Sequence, residues 1–324
     1  MLLRPLLLLF IGTLTFGYAW AESSPDKLSQ EPVRPLKALV VNAEKVALGD
    51  MLFHETRLSV DNSISCAHCH VLAEGGADGL PVSVGVNGVK GGMNSPTVFN
   101  AALNIAQFWD GRAKTLEDQI DGPLHATAEM ASNWPDVIKK LTADQVYNSA
   151  FQKLYNGEIS EQTIKHAIAE FERSLITVDS RFDQYLRGDE SAINDEEKKG
   201  YALFKEFGCV ACHQGENVGG NLFQTLGIMD DYFATYKEIK KHDYGRFNVT
   251  GDIMDKHKFK VPSLRLVTLT APYFHDAKIT KLEDAVRTMG KYQLGMIISD
   301  ADIASIIAFL ETLPGKHPRL EKEQ

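Results

Sequence analysis

Two short segments constrain this 324-residue chain more than anything else in it: Cys66-Ala67-His68-Cys69-His70 and Cys209-Val210-Ala211-Cys212-His213. They use all four cysteines and leave none over. In an exported protein the bland use of four cysteines is two disulfides. Cys-x-x-Cys followed at once by His, twice, is instead the attachment pattern of c-type haem. The spacing puts both sulfurs on one edge of the macrocycle, where they add across two vinyl groups. The next residue then lies under the iron and supplies an imidazole nitrogen. Two covalent haems are expected, one on Cys66, Cys69 and His70, the other on Cys209, Cys212 and His213.

The chain opens with MLLRPLLLLFIGTLTFGYAWA, which has one early cation (Arg4), an apolar run, and Ala19-Trp20-Ala21. This is the plan of a secretory signal with an A-x-A cleavage site. The run is short for a membrane span and carries Gly12, Thr13, Thr15 and Gly17. The expected division is a signal peptide at 1–21, a flexible leader at 22–35, an N-terminal haem domain at 36–186 and a C-terminal haem domain at 187–324. The junction falls in the polar stretch RGDESAINDEEKKG. Export implies a periplasmic protein. Net charge is −9 and Lys and Arg are unclustered, which argues against a nucleic-acid partner.

The fold class reads as mainly α, with two cytochrome c-like haem domains packed together and irregular loops between elements. Asn42 is placed to cap a helix AEKVALGDMLF that enters the first haem segment. FNAALNIAQFWDGR and TLEDQ follow a glycine-rich stretch, then WPDVIKKL and TADQVYNSAFQKLY. In SEQTIKHAIAEFERSLITV, Ile164, Ile168, Phe171 and Leu175 recur at helical spacing, so one face is buried. Asn194 with Glu197 marks the start of another helix, and Ser299 with Asp302 the start of a last one, SDADIASIIAFLETLPG. A faint repeat links the halves. Gly49 to Phe53 and Gly200 to Phe204 both read Gly-x-x-Leu-Phe shortly before a haem segment. A distal thioether is expected in the loop before the last helix, where Met289 and Met296 qualify; either Met could instead only fill core.

Taken together, CAHCH, GGMNSPTVFN, AQFWDGR, LEDQIDGP, AEM, KVPSLR, LTAPYFHDA and MGKYQLG resemble the bacterial dihaem cytochrome c peroxidases, over nearly all the chain after about residue 36. The resemblance implies a high-potential electron-entry haem in the C-terminal half, with Met289 as its distal ligand. It implies a peroxidatic haem in the N-terminal half, with Gln119 and Glu129 on its distal face. Trp109 matches the residue between the haems on the electron path. Asn94, Thr270 and Pro272 match the ligands of an interdomain Ca2+, an amide and backbone carbonyls being what a hard cation prefers. Hydrogen peroxide and a small donor protein, a monohaem cytochrome c or a cupredoxin, are the implied partners, and family members are often homodimers. Each position has a plainer use. Trp109 could be core packing, Glu129 a paired carboxylate, Met130 core or a haem ligand, and Asn94 a turn residue. His54, His125, His166, His242, His257, His275 and His317 read as structural or exposed, with His275 the best functional outsider.

One position departs from the pattern. Many members carry a distal histidine in the loop after the first haem segment; the matching residue is Val86, and no histidine lies between His70 and His125. The expectation is an N-terminal haem that rests five-coordinate. Glu129 beside it would act as acid and base in O–O cleavage, with Gln119 hydrogen-bonding the peroxide. Two other functions stay open. One is an oxidase that uses peroxide to modify Trp or Tyr of a partner, like the methylamine dehydrogenase maturation enzyme. That enzyme has a distal Tyr where Met289 aligns here, with Tyr292 three residues on. The other is a dihaem electron carrier without catalysis.

Overall fold

The computed structural model describes residues 31–320; the expected signal peptide and most of the leader lie outside them. Helix α1 (Ala43–Phe53) starts where Asn42 accepts from the backbone N–H of Glu44 and Lys45. It crosses α6 (Glu161–Ser174), and the crossing point is Gly49. A Cβ there would stand 2.0 Å from the Ala167 carbonyl oxygen, so no larger residue fits. One turn on, Phe53 meets Phe171 with ring centroids 5.2 Å apart.

The C-terminal half repeats this joint. Helix α8 (Asp195–Glu206), started by the Asn194–Glu197 capping box, crosses α11 (Asp300–Leu310), whose N-cap is Ser299. A Cβ on Gly200 would stand 1.9 Å from the Ser305 carbonyl oxygen, and Phe204 meets Phe309 at 5.2 Å. The Gly-x-x-Leu-Phe repeat is therefore one helix crossing used twice. In each half it delivers the chain to a haem segment: α2 (Cys66–Cys69) in the first, a single 3-10 turn at Cys209–Ala211 in the second.

The halves differ in what is added. The first inserts α3 (Leu116–His125), α4 (Trp134–Thr142) and α5 (Gln145–Tyr155), and ends in α7 (Arg181–Leu186). The second adds the one-turn α9 (Phe247–Thr250), α10 (Leu282–Leu294), and an antiparallel pair, β1 (Phe223–Thr225) with β2 (Lys258–Lys260), Gln224 opposite Phe259. FNAALNIAQFWDGR forms only one 3-10 turn at Ala101–Leu103. The cause is Asn100, 1% exposed and left-handed at φ +60°, which exchanges hydrogen bonds of 2.9 Å with Thr177 through both side-chain atoms. A buried amide satisfied this way fixes a loop.

The N-terminal core joins α1, α3, α4, α5 and α6 through Leu52, Phe53, Leu124, Val137, Phe151 and Ile164, all essentially inaccessible. Each such side chain contributes about 1.5–3 kcal/mol by burial. From Pro32 onward the chain is one compact unit holding both haem segments. One tie across it is Arg265, fully buried against an equally buried Asp183 on α7 at 2.7 Å. Arg265 also donates to the carbonyls of Glu216 and Arg34. Among the described residues no helix is long and apolar enough to cross a membrane.

Candidate haem sites and the cavity beside His70

The four thiols are free, in two pairs, each pair running into a histidine. The disulfide reading is thereby set aside. At the first site the turn of α2 closes with the His70 N–H donating to the Cys66 carbonyl at 3.0 Å. The His70 ring places Nδ1 3.2 Å from the Gly76 carbonyl. With Nδ1–H donating there, Nε2 is the unprotonated nitrogen, as an iron ligand must be. Burial pushes His70 below the usual imidazole range, against the pull of that carbonyl, which keeps the ring neutral. At the second site His213 is pushed down to about 4 by burial, and Nδ1 is buried without a well-formed hydrogen bond. Paired neutral thiols beside a neutral imidazole fit a covalent haem at both places, and at the first the ring is also oriented by the Gly76 carbonyl.

The cavity at the first site has apolar walls from α1, α3 and α6, including Phe53, Ile120, Leu124 and Ile168. Its polar lining includes Gln119, Glu129, Glu172, Arg112 and Trp109, with His242 reaching in from the C-terminal half. Gln119 and Glu129 are thus brought together as expected on one cavity. Glu129 sits in the turn after α3, and burial raises its carboxyl, with Arg112 pulling the other way. Arg112 itself is held by Asp110 at 3.1 Å and lies over the Phe108 ring, 3.4 Å from its centroid. Met130 also lines the cavity and is 4% exposed.

Trp109 lines the same cavity and joins the halves. Its Nε1–H donates to the Asn94 carbonyl at 2.9 Å, and its own carbonyl accepts from the Lys260 N–H at 2.8 Å. Its ring packs against the Tyr232, Phe233 and Phe259 cluster, as does Tyr292 of α10. His275 is 1% exposed behind it, bonded to Asp243 at 2.8 Å. Asn94 donates through Nδ2 to the Leu80 carbonyl, while Thr270 Oγ1 donates to the Leu266 carbonyl. Among the described residues no cluster of three or more His, Cys, Asp or Glu could hold a metal. An amide-and-carbonyl cation site is not of that kind.

Three features differ from the sequence reading. Met289 lies within α10 rather than in a loop; Met296 is in the loop and 36% exposed. Val86 does not line the cavity. Its side chain is 1% exposed in the N-terminal core, and its N–H donates to the Glu129 carbonyl at 2.9 Å. The loop reaches the cavity through Ser83, Gly85, Gly91 and Gly92 instead. Third, Glu172 and Phe108 are cavity residues that the sequence reading missed. Glu172 is 4% exposed and accepts from Gln119 Nε2 at 3.2 Å. Burial drives it up to about 8, with the Gln119 hydrogen bond opposing.

Residues 43–191 match the family model described as di-haem cytochrome c peroxidase, and residues 197–314 match that of cytochrome c. The chain is 47% identical over 310 residues to cytochrome c peroxidase Ccp of Escherichia coli (strain K12), covering 95% of this chain and 66% of that protein. It is 42% identical over 308 residues to cytochrome c551 peroxidase of Nitrosomonas europaea, covering 94% of this chain and 90% of that one. Among solved structures it superposes with a TM-score of 0.78 and 27% identity on a MauG-like protein associated with microbial copper homeostasis, covering 94% and 99% of the two chains.

Proposed function

The chain belongs to the di-haem cytochrome c peroxidase family, and from that premise we propose that it reduces hydrogen peroxide to water with electrons from a small redox protein. One peroxide, two electrons and two protons give two waters. The observation that carries the reading is the pairing of Gln119 and Glu129 on the cavity beside His70. A haem held by Cys66, Cys69 and His70 would supply the binding position for peroxide and the electrons for O–O cleavage. Glu129 takes the proton from the bound oxygen and returns it to the leaving one. Burial raises its affinity for protons, in the direction that lets a carboxyl act as an acid as well as a base. Gln119 holds the peroxide by hydrogen bonding, and Trp109 bridges toward the C-terminal half, where Met289 is the proposed distal ligand and the donor's electrons enter. The donor is a monohaem cytochrome c or a cupredoxin, the location the periplasm, and the assembly a homodimer. Asn94, Thr270 and Pro272 are proposed to hold one Ca2+.

The N-terminal site is proposed to rest open, because Val86 cannot ligate iron and its side chain is directed into the core. Mixing the fully oxidised and the half-reduced protein with peroxide, each followed optically and by EPR, tests both points. Reaction of both forms, with a high-spin resting signal, is expected. Two low-spin haems at rest would remove the open site, and silence of both forms would remove the peroxidase. The second reading, oxidation of Trp or Tyr on a partner protein, is favoured by the same Val86. Turnover of reduced monohaem cytochrome c against covalent oxidation of a partner separates the two.

A further inference from the structure

The N-terminal cavity holds a carboxyl group that the proposed chemistry leaves without a task. Glu172 stands one turn beyond Ile168 on α6, and both line the cavity. It is 4% exposed, yet no cation is bonded to it: its partner is the Gln119 amide, whose Nε2 lies 3.2 and 3.4 Å from its two oxygens. A buried carboxyl bonded only to a neutral amide has two good arrangements. Ionised, it accepts from the NH2, and the amide offers its oxygen to the cavity. Protonated, it donates to the amide oxygen, and the NH2 turns to the cavity.

We propose that Glu172 is a positioning residue whose proton sets whether Gln119 presents a donor or an acceptor to the ligand beside His70. This rests on the reading of Gln119 as a distal group and deepens it. The neighbours agree with a proton being exchanged in the working range. Burial raises the carboxyl, Glu117 on α3 raises it further, Gln119 and Arg173 lower it, and the sum lies at about 8. Arg173 is itself occupied, by Glu117 at 2.5 Å and Glu170 at 3.3 Å. Cys66 is the other titratable group that feels Glu172. On α1, across α6, Asp50 and His54 pair with each other at 3.1 Å. In acid the site is therefore a donor site, which holds an anion or a peroxide oxygen. In alkali it is an acceptor site, which holds an O–H.

Fluoride, an acceptor-only anion, reads this without turnover. Its affinity for the ferric haem-loaded protein is to be titrated from pH 6 to 9.5. Wild type is expected to lose ~10-fold in affinity across a step near the Glu172 value, about the worth of one hydrogen bond to an anion. Glu172→Gln, which never ionises, is expected to lose this step, leaving only the dependence on hydroxide and on Glu129 that is common to both proteins. Gln119→Leu, which neither donates, accepts nor ligates iron, is expected to lose the step with Glu172 intact, and the infrared band of a protonated carboxyl should fade over the same range in wild type and be missing in Glu172→Gln. A step near the Glu172 value that persists in Glu172→Gln, or in Gln119→Leu, or that is missing from wild type, overturns the proposal. Loss of peroxide turnover with the fluoride step intact would sink the peroxidase and leave this switch standing.

Discussion

The two haem sites are built on the same joint and equipped differently. At both, a glycine lets two helices touch, a phenylalanine pair locks the crossing, and the chain then enters Cys-x-x-Cys-His. At the first, α3 and the loops beside it bring a carboxyl, an amide and a guanidinium to the cavity wall, and α6 adds the Glu172 carboxyl. At the second, burial pushes His213 down, with the carbonyls of Val218 and Pro262 opposing. A shared scaffold thus fixes where each haem sits, and inserted elements decide what it can do. A plain electron carrier needs only the second kind of site.

The largest test of that comparison attacks the joint. Gly200→Val puts a side chain where even a Cβ would stand 1.9 Å from a carbonyl. Overpacking of this kind costs roughly 1–3 kcal/mol or more. Loss of haem at the C-terminal site is expected, with the N-terminal spectrum kept; Gly49→Val should do the reverse. Haem content per site checks both. Next comes the equipment. Glu129→Gln should lower peroxidase kcat by ~100-fold or more with both haems in place, as removal of an acid–base group does. Near-normal turnover would take Glu129 out of the mechanism. Met289→His should lower the potential of the C-terminal haem and leave peroxide binding at the other unchanged; redox titration checks it.

The smallest effect is on stability. Burial raises Glu172 in the folded protein, so between the ordinary carboxyl value and about 8 the folded state holds a proton that the unfolded state has released. Stability from this group is therefore full in acid and falls as pH rises through that window. Glu172→Gln should raise the melting temperature at pH 8.5 by roughly 2–4 °C and do little at pH 5.

The sequence made the joint and the attachment segments legible because both rest on fixed spacing. Gln119 and Glu129 were legible only through resemblance, since nothing local marks a carboxyl as facing a cavity. Glu172 was not legible. In α6 the Ile164, Ile168, Phe171, Leu175 stripe accounts for one face, and a Glu beside Arg173 reads as solvated. The helix is in fact covered twice, by α1 and by the cavity, and Glu172 falls on the second face, four residues after Ile168. The Met289 reading failed in its local form because α10 runs through it to Leu294. Trp109 reads as core by composition, and its bridging position comes from a loop that Asn100 shapes by bonding to Thr177, 77 residues further on.

The contact between Gly85 and Glu129 has a consequence for anyone engineering this enzyme. A Cβ on residue 85 would stand 2.2 Å from the Ala128 carbonyl, and the neighbouring Val86 N–H holds the Glu129 carbonyl. Remodelling this loop would therefore release the backbone that carries Glu129, the proposed acid. Gly88, with nothing within 4 Å of its Cβ position, offers room on the same loop, at the cost of a left-handed φ of +72°. The loop wall and the placement of Glu129 are written into the same few residues, and a redesign has to move them as one.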